Sequence, residues 1–159
     1  MVIYNIKNSK ELASYINYTN LNNMITEGEM REFLEKAKEM NFNSVIISPT
    51  YVKLAKEILA DTDIKVGSVV GFPLGFESTE SKVAETKALI EIGADEIDVV
   101  MNLSHIKDEK YDLIESEISQ IKNANPASLR TKSQLRSIQL LSSVIFNATV
   151  PFPDQFSLP

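Results

Sequence analysis

Gly93-Ala94-Asp95-Glu96-Ile97-Asp98-Val99-Val100-Met101-Asn102 is the stretch on which the fold turns. Ile97, Val99, Val100 and Met101 suit a strand buried on both faces, the pattern of a parallel sheet covered by helices. Asp98 interrupts that pattern with a carboxylate that points into the core or into the interior of a barrel. An unpaired charge there is costly and its pKa is easily moved, so Asp98 is a candidate acid or base. A carboxylate satisfied by backbone amides or by a lysine accounts for the same position without chemistry.

Working outward, the apolar period alternates between helix and strand, the mark of βα units around a parallel sheet. Upstream, residues 79–92 read as an amphipathic helix with Val83, Ala84, Ala88, Leu89 and Ile90 inward, stopped by Gly93. Residues 65–70 read as a strand that runs into Gly71-Phe72-Pro73-Leu74-Gly75. Such a loop at the carboxyl end of a parallel strand lets backbone approach a ligand; it also reads as an ordinary tight turn. Residues 44–48 form a shorter strand ended by Pro49, and residues 49–60 the next helix. Thr26 and Glu29 have capping-box spacing ahead of a helix that runs to Met40. Residues 15–21 are strand-like, and a short helix over 9–13 takes Ser9 as its N-cap. Downstream of Asp98, residues 111–121 give a helix with Leu113, Ile114, Ile118 and Ile121 on one face.

The 159 residues, 43% hydrophobic and 24% charged, describe ordinary globular material. No apolar run reaches the roughly 20 residues of a spanning helix, and the amino terminus lacks a signal-peptide layout, so the expectation is a cytoplasmic protein without a membrane partner. With no cysteine and a single histidine, His105, thiolate metal sites and His-rich zinc sites are excluded. A net charge of -6 argues against a nucleic-acid partner. Beyond residue 125 the character changes: residues 126–159 hold four of the six prolines, six serines and no glycine. Charge comes to -8 over residues 1–125 and +2 over the remainder. Residues 135–145 suggest one apolar helix, and residues 150–159 extended coil.

These residues resemble one family in order. Tyr15-Ile16-Asn17-Tyr18-Thr19, Ser44-Val45-Ile46-Ile47-Ser48-Pro49, Val69-Val70-Gly71-Phe72-Pro73-Leu74-Gly75, the helix opening at Thr79, and the Asp98 segment are similar to successive blocks of deoxyribose-phosphate aldolase. The resemblance covers about residues 12–122. It implies an α/β fold, a partial TIM (βα)₈-type barrel of about four βα units over residues 1–124. The tail, residues 125–159, is then a divergent segment of one helix plus coil, arising by truncation, frameshift or fusion. It also implies a lyase for reversible cleavage of 2-deoxy-D-ribose 5-phosphate to glyceraldehyde 3-phosphate and acetaldehyde through a lysine Schiff base. No cofactor and no metal are implied; the partner is a small sugar phosphate. Asp98 corresponds to the family's proton donor/acceptor, and Thr19 and Asn17 to substrate-binding positions.

Departures accompany the matches. Asn17 stands where the family usually has aspartate, and Tyr18 where histidine is common. No Schiff-base lysine is identifiable, because the family's lysines and phosphate-binding glycine loops belong to the second half of the barrel. Lys65 opens a strand at its amino end, and Lys82, Lys107 and Lys110 read as solvated surface lysines. His105 reads as a loop histidine near the carboxyl rim. The alternative is therefore a catalytically inactive half-barrel serving as an assembly fragment, its strand edges and inner face uncovered and prone to self-association or homo-oligomer formation.

Overall fold

The computed structural model describes residues 6–124 and the backbone of residues 137–141. Strands β1 (Asn17–Asn20), β2 (Ser44–Ile47), β3 (Lys65–Val70), β4 (Glu96–Val100) and β5 (Ser137–Leu141) form one all-parallel sheet whose spatial order is the chain order. Between them lie α1 (Ser9–Ala13, ahead of β1), α2 (Glu27–Met40), α3 (Val52–Ile58), α4 (Thr79–Glu91), and the pair α5 (Leu103–Lys107) and α6 (Tyr111–Asn123). Right-handed crossovers that never reverse direction keep their helices on one side of the sheet, whereas a doubly wound sheet reverses and is covered on both. The chain thus builds the wall of a (βα)₈-type barrel.

Strand alternation assigns the two faces. Val45, Ile47, Val66, Val70, Ile97 and Val99 pack outward against Met30, Leu34, Ala55, Leu89 and Ile121, forming the main core. Each such aliphatic side chain, fully buried, contributes about 1.5–3 kcal/mol. Tyr18 faces the same way, stacked between Phe33 and Phe42 with ring centroids 4.3 Å from each. The inner face carries Asn17, Thr19, Ile46, Lys65, Val69, Glu96, Asp98 and Val100 at the alternate positions. Much of it is closed: Ile46, Val69, Glu96, Asp98 and Val100 are at most 6% exposed. The fully uncovered inner face expected of a half-barrel is therefore corrected. Part of the reason is Gly67, whose missing Cβ leaves room for the Ile46 side chain beside Glu96.

The capping box forms as expected: Glu29 Oε2 accepts from the Thr26 N–H at 2.8 Å, and Thr26 Oγ1 accepts from the Glu29 N–H at 3.3 Å. Other expectations are corrected. Asn8, not Ser9, caps α1, accepting from the Glu11 N–H at 2.9 Å. Tyr15 and Ile16 close α1 by turn hydrogen bonds and leave only Asn17–Asn20 to the strand. The helix expected over 49–60 divides into a 3₁₀ turn, Pro49–Tyr51, and α3. On α4 the inward residues are Lys82, Thr86 and Leu89, while Ala84 and Ala88 are exposed. On α6 Leu113 is exposed and Glu117 buried.

The helix expected within 135–145 gives way to β5, which pairs with β4 from Glu96↔Ser137 to Val100↔Leu141. An apolar run of that length does not separate strand from helix by periodicity. The edge of β4, a row of unpaired N–H and C=O groups, favours the strand. The remainder of that stretch and the coil expected over 150–159 lie outside the described residues.

Candidate active site

The site is built on β4. Glu96 and Asp98 occupy alternate positions on the inner face, 5% and 6% exposed. Glu96 Oε1 accepts from Lys65 Nζ at 3.0 Å. Asp98 has no hydrogen-bond or ion-pair partner among the described residues, so no described lysine satisfies it. Burial, reinforced by the negative charge of Glu96, pushes its carboxyl up from 3.8 to about 6. A group at that value holds both protonation states in useful amounts near neutrality, the condition for general acid/base work.

At the carboxyl end of the sheet, the loop from Gly71 to Gly75 leans on the end of β4. Gly71 and Gly75 adopt φ of +66° and +69°, and the Phe72–Pro73 peptide is cis. A Cβ on Gly75 would collide with the Met101 carbonyl, so only glycine admits this approach. Gly75 N–H donates to the Gly71 carbonyl at 2.8 Å, and Gly71 N–H donates to Glu85 Oε2 at 3.0 Å. Behind the loop lies a buried ion pair: Lys82 Nζ donates to Glu117 Oε1 at 2.9 Å, with the two side chains 0% and 4% exposed. Thr79 Oγ1 donates to the other Glu117 oxygen at 3.4 Å. Lys82 is thus no surface lysine. The missed signal is spacing: Lys82, Thr86 and Leu89 share one helical stripe, as do Ile114, Glu117 and Ile121, so each charge sits on an inward face.

The remaining predicted residues are spread apart. Thr19 is exposed on the inner face, and its hydroxyl donates to the Asn17 carbonyl at 3.3 Å. Asn17 begins β1, and its Oδ1 accepts from Asn43 Nδ2 at 2.9 Å. Both share a face with Asp98, but β2 and β3 lie between. Tyr18 points to the helices, so the departure at that position does not touch the inner face. His105 belongs to α5, which Asn102 caps by accepting from the Ser104 and His105 N–H groups. Its Nδ1 is buried without a hydrogen-bond partner. Lys110 pairs with Asp108 on the surface. Lys65 is engaged with Glu96, and Lys132 lies outside the described residues. A cavity of about 290 Å³ lined by Lys56, Leu59, Thr62, Ile64 and Val66 opens at the amino end of β3, away from the loop. Among the described residues no cluster of His, Asp and Glu is arranged to hold a metal, and no helix is long and apolar enough to cross a membrane.

Residues 12–128 match the family model of the DeoC/LacD family aldolases. The deoxyribose-phosphate aldolase of Metamycoplasma hominis is 46% identical over 114 residues, covering 72% of this chain and 52% of that protein. Among solved structures, the aldolase QR15 superposes with a TM-score of 0.68 at 38% identity, covering 72% of this chain and 51% of its own. The tetrameric deoxyribose phosphate aldolase of Aeropyrum pernix superposes at 0.58 with 30% identity, covering 72% and 50%. The chain spans about half the length of the relatives it matches.

Proposed function

The chain belongs to the DeoC/LacD aldolase family, and from that premise we propose that it carries the acid/base portion of a class I aldolase centre. The reaction is reversible cleavage of 2-deoxy-D-ribose 5-phosphate to glyceraldehyde 3-phosphate and acetaldehyde. Asp98 is its proton donor and acceptor. The observation that carries this reading is the buried carboxylate on the inner face of β4, without a partner among the described residues and pushed up to about 6. In the proposed sequence, a lysine amine adds to the sugar aldehyde to give a carbinolamine, whose hydroxyl leaves as water with a proton from Asp98. In carbon–carbon cleavage Asp98, now a carboxylate, takes the proton of the C3 hydroxyl as glyceraldehyde 3-phosphate leaves; it then returns that proton to the enamine carbon, and water hydrolyses the resulting imine to release acetaldehyde and the lysine amine. Thr19, on the same face, is proposed to bind substrate. Asn17 is a weaker member of that set, because its side-chain oxygen is already engaged by Asn43.

A free amine facing Asp98 is absent among the described residues, so the imine lysine comes from outside them. That observation supports a second reading, a catalytically inactive wall segment that acts by assembly. The outer edge of β1, unpaired among the described residues, supports self-association, with a cytoplasmic location in both readings. Borohydride trapping of the full chain with the sugar phosphate, followed by mass spectrometry, separates them. The aldolase reading expects a reduced lysine adduct whose formation slows roughly 100-fold or more in Asp98→Asn. Absence of any adduct under conditions that trap a complete aldolase favours the assembly reading.

A further inference from the structure

Asp95, Glu96 and Asp98 are three carboxylates within four residues, and the fold separates them. Asp95 turns away from the inner face: its Oδ2 accepts from Lys56 Nζ at 2.8 Å and from the Val66 N–H at 2.9 Å. Glu96 and Asp98 stay together on the inner face, two residues apart along β4, about 6.6 Å at the strand rise. We propose that Glu96, ion-paired with Lys65 at 3.0 Å, is a positioning residue that acts through Asp98: its buried negative charge, two residues away on the same face, favours the form of Asp98 that can donate a proton.

The layering of the sheet supplies the geometry. Ser44 and Lys65 are in register at the amino end; Thr19, Ile46, Gly67 and Glu96 form the next layer; Val69 and Asp98 the one above. Lys65 therefore lies a layer farther from Asp98 than Glu96 does. At the level of the backbone, Glu96 is thus the nearer of the two to Asp98. Water does little to screen this field, because Glu96 is 5% exposed and its neighbours are Ile46 and Gly67. From β3 only Lys65 is titratable; the inner positions of β1 and β2 are Asn17, Thr19, Ser44 and Ile46, and Ser137–Leu141 of β5 contains no ionisable residue. The loop from Gly71 to Gly75 has none of its own, but Glu77, Lys82 and Glu85 lie against Gly71, and His105 follows β4 on the carboxyl side. The direction of the Asp98 shift, in which Glu96 acts second to burial, agrees with this layout.

The catalytic meaning of this inference rests on the reading of Asp98 as acid/base, but its test needs no substrate. Side-chain carboxyl ¹³C resonances of the full chain are followed from about pH 3 to pH 9, with Asp98→Asn and Glu96→Gln providing the assignments. Glu96→Gln keeps the shape and still accepts from Lys65. The expected result is a fall of about half a pH unit or more in the Asp98 midpoint, with the part due to burial retained. Glu96→Asp, which withdraws the charge by one methylene, is titrated alongside in case Glu96→Gln fails to fold and should give a smaller fall. An Asp98 midpoint that stays put when Glu96 is neutralised or withdrawn overturns the proposal and leaves the pair a simple β3–β4 tie. A chain that shows the shift but never traps substrate loses the aldolase reading alone.

Discussion

Replacing Asp98 with asparagine should stabilise the protein above neutrality. The carboxyl titrates at about 6 in the folded chain against an ordinary value of 3.8. Below about pH 3 it is largely neutral in both folded and unfolded states and little is lost. As pH rises, the unfolded chain releases the proton first, while the folded chain holds it, so stability declines through that interval. Above about pH 6 the full difference is reached. At about 1.36 kcal/mol per pH unit it amounts to up to about 3 kcal/mol. Asparagine matches the protonated acid in shape and never ionises. Urea unfolding of both proteins, followed by circular dichroism at several values between about pH 3 and pH 8, reads the difference directly, and contributions from groups that do not interact with Asp98 cancel. The two curves should nearly agree at about pH 3, with the variant more stable by about 2–3 kcal/mol at pH 8. A difference that is the same at every pH, or an asparagine variant less stable at pH 8, refutes the reasoning. A gain in stability on removal of this carboxylate is also what a functional residue held at a cost would show.

Two further outcomes follow from the loop and its support. Lys82→Met strands the buried Glu117 carboxylate and should cost about 3–5 kcal/mol in urea unfolding, whereas Lys82→Met combined with Glu117→Leu should recover most of it; equal losses in both would mean that packing, not charge, dominates. Gly75→Ala, at positive φ against the Met101 carbonyl, should destabilise by more than about 1 kcal/mol. Gly28→Ala, in open space in the first turn of α2, should instead stabilise by up to about 1 kcal/mol in the same thermal or urea assay.

Much of this architecture is legible residue by residue. The change of period along residues 26–100 marks α2, β2, β3, α4 and β4, and Thr26 with Glu29 marks a helix start by chemistry alone. Asp98 stands out because one charge in an apolar run has few physical explanations. What escapes is what depends on partners distant in sequence. Lys82 reads as solvent-facing because charge is scored alone, and its burial against Glu117 follows only from the meeting of α4 and α6. Glu96 passes as one more acid before a strand until the register with Gly67 and the reach of Lys65 are known. The five residues of α5 are too few and too polar for a periodic signal, and the Asn102 cap identifies them only in three dimensions. For β5 the deciding fact is the open edge beside it, which no local pattern contains.

The agreement between strand order and chain order has a bearing on how the protein is made. Each strand pairs with its immediate predecessor across one helical crossover, so native contacts can form in the order of synthesis without waiting for distant sequence. During translation the sheet then grows at a single advancing margin, and each new unit covers the margin left by the last.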